Sequence, residues 1–246
     1  MLRIFKKSMQ TGIVTSTYPK KKDIPPQGFR GMPTWDGEKC HLCGTCSDKC
    51  PTKAINIIKS NDANTIAGQQ GSSWAVDARK CIFCGYCEDA CANDAISMGA
   101  EFELSEIASN EGNNKIYSRS VHIRHLDAGS CNACDWEMAA LTGPVYDIQR
   151  FGFDFVASPR HADILMVTGP VTRNLEIAAS KTYNAAPAPK LVVAVGTCAC
   201  SGGICGKSYA SAGGVDNILP VDVYIPGCPP RPQALIHGLL NAVNRL

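Results

Sequence analysis

Hydrophobic positions fall into two textures along the chain. From about residue 118 the runs HADILMVTG, APKLVVAVG and VDVYIPG are each β-branched and apolar and end in Gly or Pro, as strands buried on both faces of a parallel sheet do. Between and after them come three helix candidates: DWEMAALTG, NLEIAASKTY and the C-terminal QALIHGLLNAVNRL. In the last, Leu235, Ile236, Leu239, Leu240, Val243 and Leu246 recur at helical spacing on one face. Strand, loop and helix in repetition predict an open α/β sheet.

Residues 37 to 100 follow a different rule, an internal repeat. CHLCGTCSDKCP holds Cys40, Cys43, Cys46 and Cys50, and CIFCGYCEDACA holds Cys81, Cys84, Cys87 and Cys91. Both copies read C-x2-C-x2-C-x3-C, and the polar stretch KSNDANTIAGQQGSS between them reads as a surface loop or hairpin insertion. Residues 1 to 30 hold seven basic residues (Arg3, Lys6, Lys7, Lys20, Lys21, Lys22, Arg30) against Asp23 alone and run into a Pro-rich stretch. This reads as an extended arm, either a solvated tail or a docking strap on a larger complex.

Composition narrows the chemistry. The 246 residues suffice for two modest domains. With 24 basic against 22 acidic residues, the net charge of +2 gives no reason to invoke nucleic acid, and a protein partner is expected instead. Fourteen cysteines behind an N-terminus, MLRIFKKSMQTG, that lacks the pattern of a secretory leader are expected to be reduced ligands in a cytoplasmic setting. No run of eighteen apolar residues occurs, so membrane attachment is expected only through partner subunits, with the chain peripheral.

A cubane iron–sulfur cluster needs four thiolates around it. Three cysteines at i, i+3 and i+6 can wrap one side of it, and the fourth must come from elsewhere in the chain. The repeat resembles bacterial two-cluster ferredoxins, in which the fourth cysteine of each run ligates the other cluster. The resemblance implies one cluster on Cys40, Cys43, Cys46 and Cys91 and a second on Cys81, Cys84, Cys87 and Cys50. Pro51 follows the first run as in that family, whereas Ala92 follows the second, and the spacer is longer than in minimal ferredoxins. The alternative, zinc, usually joins two cysteine pairs from separated loops, and an all-disulfide scaffold fits less well still.

Six cysteines remain: Cys131, Cys134, Cys198, Cys200, Cys205 and Cys228. Cys131 and Cys134 follow VHIRHLDAG, Cys198 follows LVVAVG, and Cys228 ends the VDVYIPGC run. Open α/β sheets collect their sites in loops at such strand ends. The segments SCNACDWEMAAL, RFGFDFVASPRHADILMVTGPVT, VVAVGTCACSGG and YIPGCPPRP together resemble the small subunit of group 4 energy-converting nickel–iron hydrogenases, including formate hydrogenlyase, and the homologous complex I subunit. That resemblance covers roughly residues 118 to 246. It implies a third [4Fe-4S] cluster on Cys131, Cys134, Cys198 and Cys228, with Cys200 and Cys205 as structural cysteines. The spacing Cys-Asn-Ala-Cys looks like the hydrogenase branch, because the complex I subunit has adjacent cysteines there. TGIVTSTYP looks like the start of the ferredoxin-type subunit of such complexes.

The implied fold class is an α+β ferredoxin-like domain (37–112) after an N-terminal arm (1–36), then an α/β open parallel-sheet, flavodoxin-like domain (118–246). The implied function is electron transfer through three [4Fe-4S] clusters to or from the active site of a partner hydrogenase large subunit that holds the Ni–Fe centre. This would be a non-catalytic subunit of an oxidoreductase complex, with other redox subunits or ferredoxin, and membrane subunits, as further partners. Two alternatives stay open: the same relay in a complex I-like oxidoreductase reducing quinone or sulfur compounds, and a stand-alone ferredoxin-like carrier or sensor. The relay readings require an apolar contact face near Cys131 and Cys228, which Trp136 and the GCPPRP loop suit. Asp135 and Glu137 are expected at a helix start, where the macrodipole alone favours acids. His122, His125 and His161 lack ligand spacing and are expected to be structural.

Overall fold

The computed structural model describes residues 2–58, 73–108 and 120–246. The insertion KSNDANTIAGQQGSS lies outside the described residues except for its last serine. The N-terminal region comprises α1 (Leu2–Thr11), β1 (Pro33–Trp35), α2 (Thr45–Lys49), β2 (Ile55–Ile58), β3 (Ser73–Val76), α3 (Tyr86–Asp89) and β4 (Ile96–Met98). Within the stretch read as an arm, α1 is helical and β1 pairs antiparallel with β4. Tyr18, from the same stretch, is buried against Phe102.

The sequence repeat becomes a structural one. Each run begins with a loop in which Leu42 or Phe83 takes a positive φ, and Gly44 or Gly85 caps the following short helix at φ 91° or 84°. That left-handed turn is the backbone Gly adopts at no steric cost. It folds the three closely spaced cysteines of each run around one point. The hairpin β2–β3 and the pair β1–β4 flank the two helices, and Cys46, Ile55, Cys87 and Ile96 form the small core between them.

The second region comprises β5 (Glu106–Ile107), β6 (Val121–Asp127), α4 (Ala133–Ala140), β7 (Phe153–Phe155), β8 (Ile164–Thr168), α5 (Arg173–Ala185), β9 (Leu191–Val195), α6 (Gly196–Ser201), β10 (Val223–Ile225) and α7 (Pro232–Ala242). Its six-stranded sheet runs β5-β10-β9-β8-β6-β7. The pairings from β10 to β7 are parallel, and β5 closes one edge antiparallel to β10. The three apolar runs of the sequence are β8, β9 and β10, each buried along its whole length.

Alternate side chains of those strands serve opposite faces, as the period of two requires. Ile164, Met166, Val193 and Ile225 join Met138 and Leu141 at α4 and Leu235 and Leu239 of α7, whereas Val167, Val192 and Ala194 join Ala179 of α5 and Ala199 of α6. Each fully buried Leu or Ile contributes about 1.5–3 kcal/mol relative to exposure. The C-terminal helix is shorter than its apolar period. It ends at Ala242, Asn244 turns the chain at φ 52°, and Leu246 is 63% exposed rather than on the buried face.

Candidate metal centres

The eight cysteines of the repeat divide between two hollows. One is lined by Cys40, Cys43, Cys46 and Cys91 with Leu42, Ile57 and Ile96 around them. The other is lined by Cys50, Cys81, Cys84 and Cys87 with Ile55, Phe83 and Met98. Each hollow takes three cysteines from one run and the last cysteine of the other run.

Backbone donors point at the sulfurs with the same symmetry. Leu42 N–H donates to Cys40 Sγ and Phe83 N–H to Cys81 Sγ, both at 3.4 Å. Ala54 N–H donates to Cys50 Sγ and Ala95 N–H to Cys91 Sγ, both at 3.3 Å. Burial opposes ionisation of Cys50, but bonds from Ala54, Thr52 and Ile55 together outweigh it and lower the thiol below its ordinary value. Such donors are among the groups that set a cluster's potential.

The remaining set is assembled by the sheet. Cys131 and Cys134 lie just after β6, Cys198 is in the first turn after β9, and Cys228 is in the loop after β10. All three loops leave the carboxyl edge of the parallel strands, and the chain changes direction across the sheet between β6 and β8, where open α/β sheets form their crevice. Cys134 feels Cys198, Cys131 and Cys228: burial first, then those three thiols and Asp135, push it up to about 12. Burial followed by Cys228, Cys131 and Cys205 raises Cys198 to about 11. Gly196 sits at φ 83°, and a Cβ there would lie 2.5 Å from Cys134 Sγ, so only glycine fits beside that sulfur.

The donor chemistry of all three sets fits an iron–sulfur cluster. Burial also holds Cys81 and Cys87 up at about 11, so crowded, dry thiols of this kind ionise near neutral pH only against a compensating cation. Among the described residues no three His, Cys, Asp or Glu side chains are gathered tightly enough for a single metal ion. A bare zinc ion requires sulfurs about 2.3 Å from one centre; here four thiols surround each repeat hollow instead.

The two regions meet where the second and third sets approach each other. Buried Thr197, beside Cys198, donates from Oγ1 to Cys81 O at 2.8 Å and also lies 3.2 Å from Gly227 O. Ser201 Oγ bonds Arg79 O at 2.8 Å, and within the N-terminal region Arg30 Nη1 donates to Cys84 O at 2.6 Å. Burial first, then Cys131 and last Cys84, raise the Cys228 thiol, and Phe83, next to Cys84, lines one cavity with Cys228. None of Thr197, Ser201 and Arg30 stands out in the sequence, because each acts through a partner more than fifty residues away.

Other expectations fare unevenly. Asp135 does lie in the first turn of α4, yet it also accepts from Ser130 Oγ at 3.2 Å and Thr168 Oγ1 at 3.1 Å, and it lies 3.1 Å from His125 Nε2. His125 is thus a member of a half-buried polar group with Thr168 at 2.9 Å, and burial lowers its pKa against the pull of Asp135. His122 lies 3.4 Å from Asp163, and burial raises Glu137 against the opposing charge of Arg231. Cys200 is buried, with its thiol towards Ala194 O, whereas Cys205 is exposed on a loop near Cys198 rather than packed in the core. Trp136 is 76% exposed, and Cys131, just ahead of its helix in the chain, is exposed as well.

Comparison with known proteins follows the same division. Residues 39–95 match the 4Fe-4S dicluster domain, and residues 131–242 match the family described as NADH ubiquinone oxidoreductase, 20 Kd subunit. A probable membrane-bound hydrogenase subunit of Pyrococcus furiosus is 46% identical over 132 residues, which are 54% of this chain and 79% of that protein. Formate hydrogenlyase subunit 7 of Escherichia coli is 46% identical over 132 residues, 54% of this chain, and the match spans only 52% of that relative's length. A NADH-quinone oxidoreductase subunit of Clostridium beijerinckii is 52% identical over 114 residues, 46% of this chain and 68% of that protein. The dicluster match contains all eight cysteines of the repeat, and the second match contains all four that the sheet edge gathers. With its sheet, its cysteine loops and its relatives in agreement, the chain belongs to the 20 Kd subunit family of NADH ubiquinone oxidoreductase, a family of oxidoreductase subunits, and carries a 4Fe-4S dicluster domain ahead of it.

Proposed function

We propose that this chain relays electrons through three [4Fe-4S] clusters, to or from the active site of a large subunit in a nickel–iron hydrogenase complex. Cys40, Cys43, Cys46 and Cys91 hold the first cluster; Cys50, Cys81, Cys84 and Cys87 the second; Cys131, Cys134, Cys198 and Cys228 the third. The observation that carries the reading is the contiguity of the sets. The first two share the core of Cys46 and Cys87, and the second adjoins the third through Thr197 and the Cys84–Cys228 approach. Bound clusters supply one-electron oxidation and reduction. The protein supplies the thiolates and a fixed gap between neighbours, and around the two repeat sets it adds N–H donors to sulfur and an apolar lining.

The five parallel strands, counted from β6, lie in the order 2-1-3-4-5, which supports a flavodoxin-like reading of the sheet. Exposed Trp136 with exposed Cys131 and Cys228 supports a contact face for the large subunit, against a stand-alone carrier. Further redox subunits would feed the first set, and membrane subunits would hold the complex at a bilayer. Among the described residues no helix is long and apolar enough to cross one.

A second reading keeps the wiring but gives the partner no Ni–Fe centre, and the 52% identity to a NADH-quinone oxidoreductase subunit favours it. The two-residue spacer between Cys131 and Cys134 favours the hydrogenase. Iron, acid-labile sulfide and nickel, measured on the anaerobically purified complex, separate the readings. About twelve irons per chain with nickel in the large subunit is the expected result. About eight irons would remove the third cluster, and twelve without nickel would assign the chain to the complex I-like oxidoreductase.

A further inference from the structure

Helix α1 is anomalous for a globular chain. None of its residues is buried, yet Leu2, Ile4, Phe5 and Met9 are 89%, 75%, 68% and 73% exposed. Large apolar side chains grouped on one exposed element mark an interaction surface. At 3.6 residues per turn Leu2, Phe5 and Met9 share one side with Ile4 flanking it, while Arg3, Lys6, Lys7 and Gln10 recur at i, i+3, i+4 and i+7 on the other. A helix this short is marginal in water by itself, and α1 draws no support from the core. Among the described residues nothing buries its apolar side, which is left for an external surface.

Charge identifies that surface. The first 22 residues carry six cations and no carboxylate, whereas the other 224 carry 18 cations against 22 carboxylates. A short helix with large apolar side chains on one side and cations on the other lies in the headgroup plane of an anionic bilayer. Ile13, just past the helix, is also 94% exposed.

Only a few residues beyond, the chain is clamped to the body. Ser16 N–H donates to Val145 O at 2.8 Å, Thr15 Oγ1 to Pro144 O at 2.9 Å, and Arg150 holds Ser16 O and Tyr18 O. A helix tethered so near a fixed point would set the orientation of the cysteine sheet edge as it lies on a membrane.

We infer that α1 is an interfacial anchor, with Leu2, Ile4, Phe5 and Met9 entering the bilayer and Arg3, Lys6 and Lys7 facing anionic lipid headgroups. The anchor is independent of the electron-relay reading. The test is flotation of the full-length, cluster-loaded chain with vesicles of phosphatidylglycerol and phosphatidylcholine in equal parts, and with phosphatidylcholine alone. The chain floats with the mixed vesicles and binds phosphatidylcholine about tenfold more weakly. The double variant Phe5→Asp, Met9→Asp stays at the bottom of the gradient. Lys6→Gln with Lys7→Gln weakens binding and removes its salt dependence.

Both variants keep the visible iron–sulfur absorbance of the parent, because α1 contributes nothing to the core. Equal flotation of the Asp double variant, or no flotation of the parent with anionic vesicles, overturns the anchor. So does loss of co-purifying integral membrane subunits from the Asp variant when the parent binds no vesicle, since α1 would then fill a protein groove.

Discussion

The two cysteine-bearing regions reach the same end by opposite means. In the repeat, three thiols of each set come from seven consecutive residues, and a left-handed turn at Gly44 or Gly85 gathers them locally. At the sheet edge, four thiols come from loops spread between Cys131 and Cys228, and only the parallel pairing of β6, β8, β9 and β10 brings those loops together. A local motif tolerates damage elsewhere in the fold. A set assembled by a sheet depends on the sheet.

The largest expected effect tests that difference directly. Cys134→Ser should reduce iron from about twelve to about eight per chain and leave the repeat's visible spectrum intact. Gly196→Ala should do nearly the same without touching a cysteine, because its methyl group would collide with Cys134 Sγ and its φ is strained. Elemental analysis of both variants checks the pair, and a full iron complement in Gly196→Ala would show that the sheet edge is more pliant than its geometry implies.

Next in size is the response of the cluster-free chain to alkali. A thiol raised in the fold keeps its proton where the unfolded chain has lost it, so stability is full below the ordinary thiol value of 9.0 and falls as pH rises towards about 12. Cys134 alone contributes at most about 1.4 kcal/mol per pH unit in that window. Thermal unfolding between pH 8 and pH 10.5 should therefore show Tm falling in the cluster-free protein and holding steady in the loaded one.

Smaller still is the junction. Thr197→Val should destabilise the chain by about 1–3 kcal/mol, because buried Cys81 O loses its donor. It should also weaken the magnetic coupling between the second and third clusters in EPR spectra of the reduced protein, and Thr197→Ser should restore both. The smallest effect belongs to Lys22, an exposed side chain that pairs with exposed Glu101 and half-buried Glu103. Lys22→Ala should leave the unfolding midpoint unchanged in chemical denaturation, since exposed ion pairs are screened by water and salt.

Much of this molecule is legible in its linear order. The spacing of the repeat predicts three gathered cysteines in each run, the resemblance to two-cluster ferredoxins implies the exchanged fourth cysteine that each hollow contains, and the apolar runs predict β8, β9 and β10, because a strand buried on both faces leaves an uninterrupted hydrophobic signature. Helix ends are less legible: the hydrophobic period carries the last helix past Ala242, where the turn at Asn244 ends it. The helix α1 is hidden inside the basic arm, since its cations dominate the local composition and mask the short apolar period beneath them.

By itself the sequence determined which side chains stand close to each other along the chain, and hence the local cysteine loops and the strands. Only the tertiary structure decided the Thr197 bridge, the polar group of His125, Thr168 and Asp135, and the approach of Cys84 to Cys228. The reason is physical. Each of these contacts joins residues whose separation along the chain carries no periodic signal, and it exists because sheet order and helix packing bring two loops to the same place.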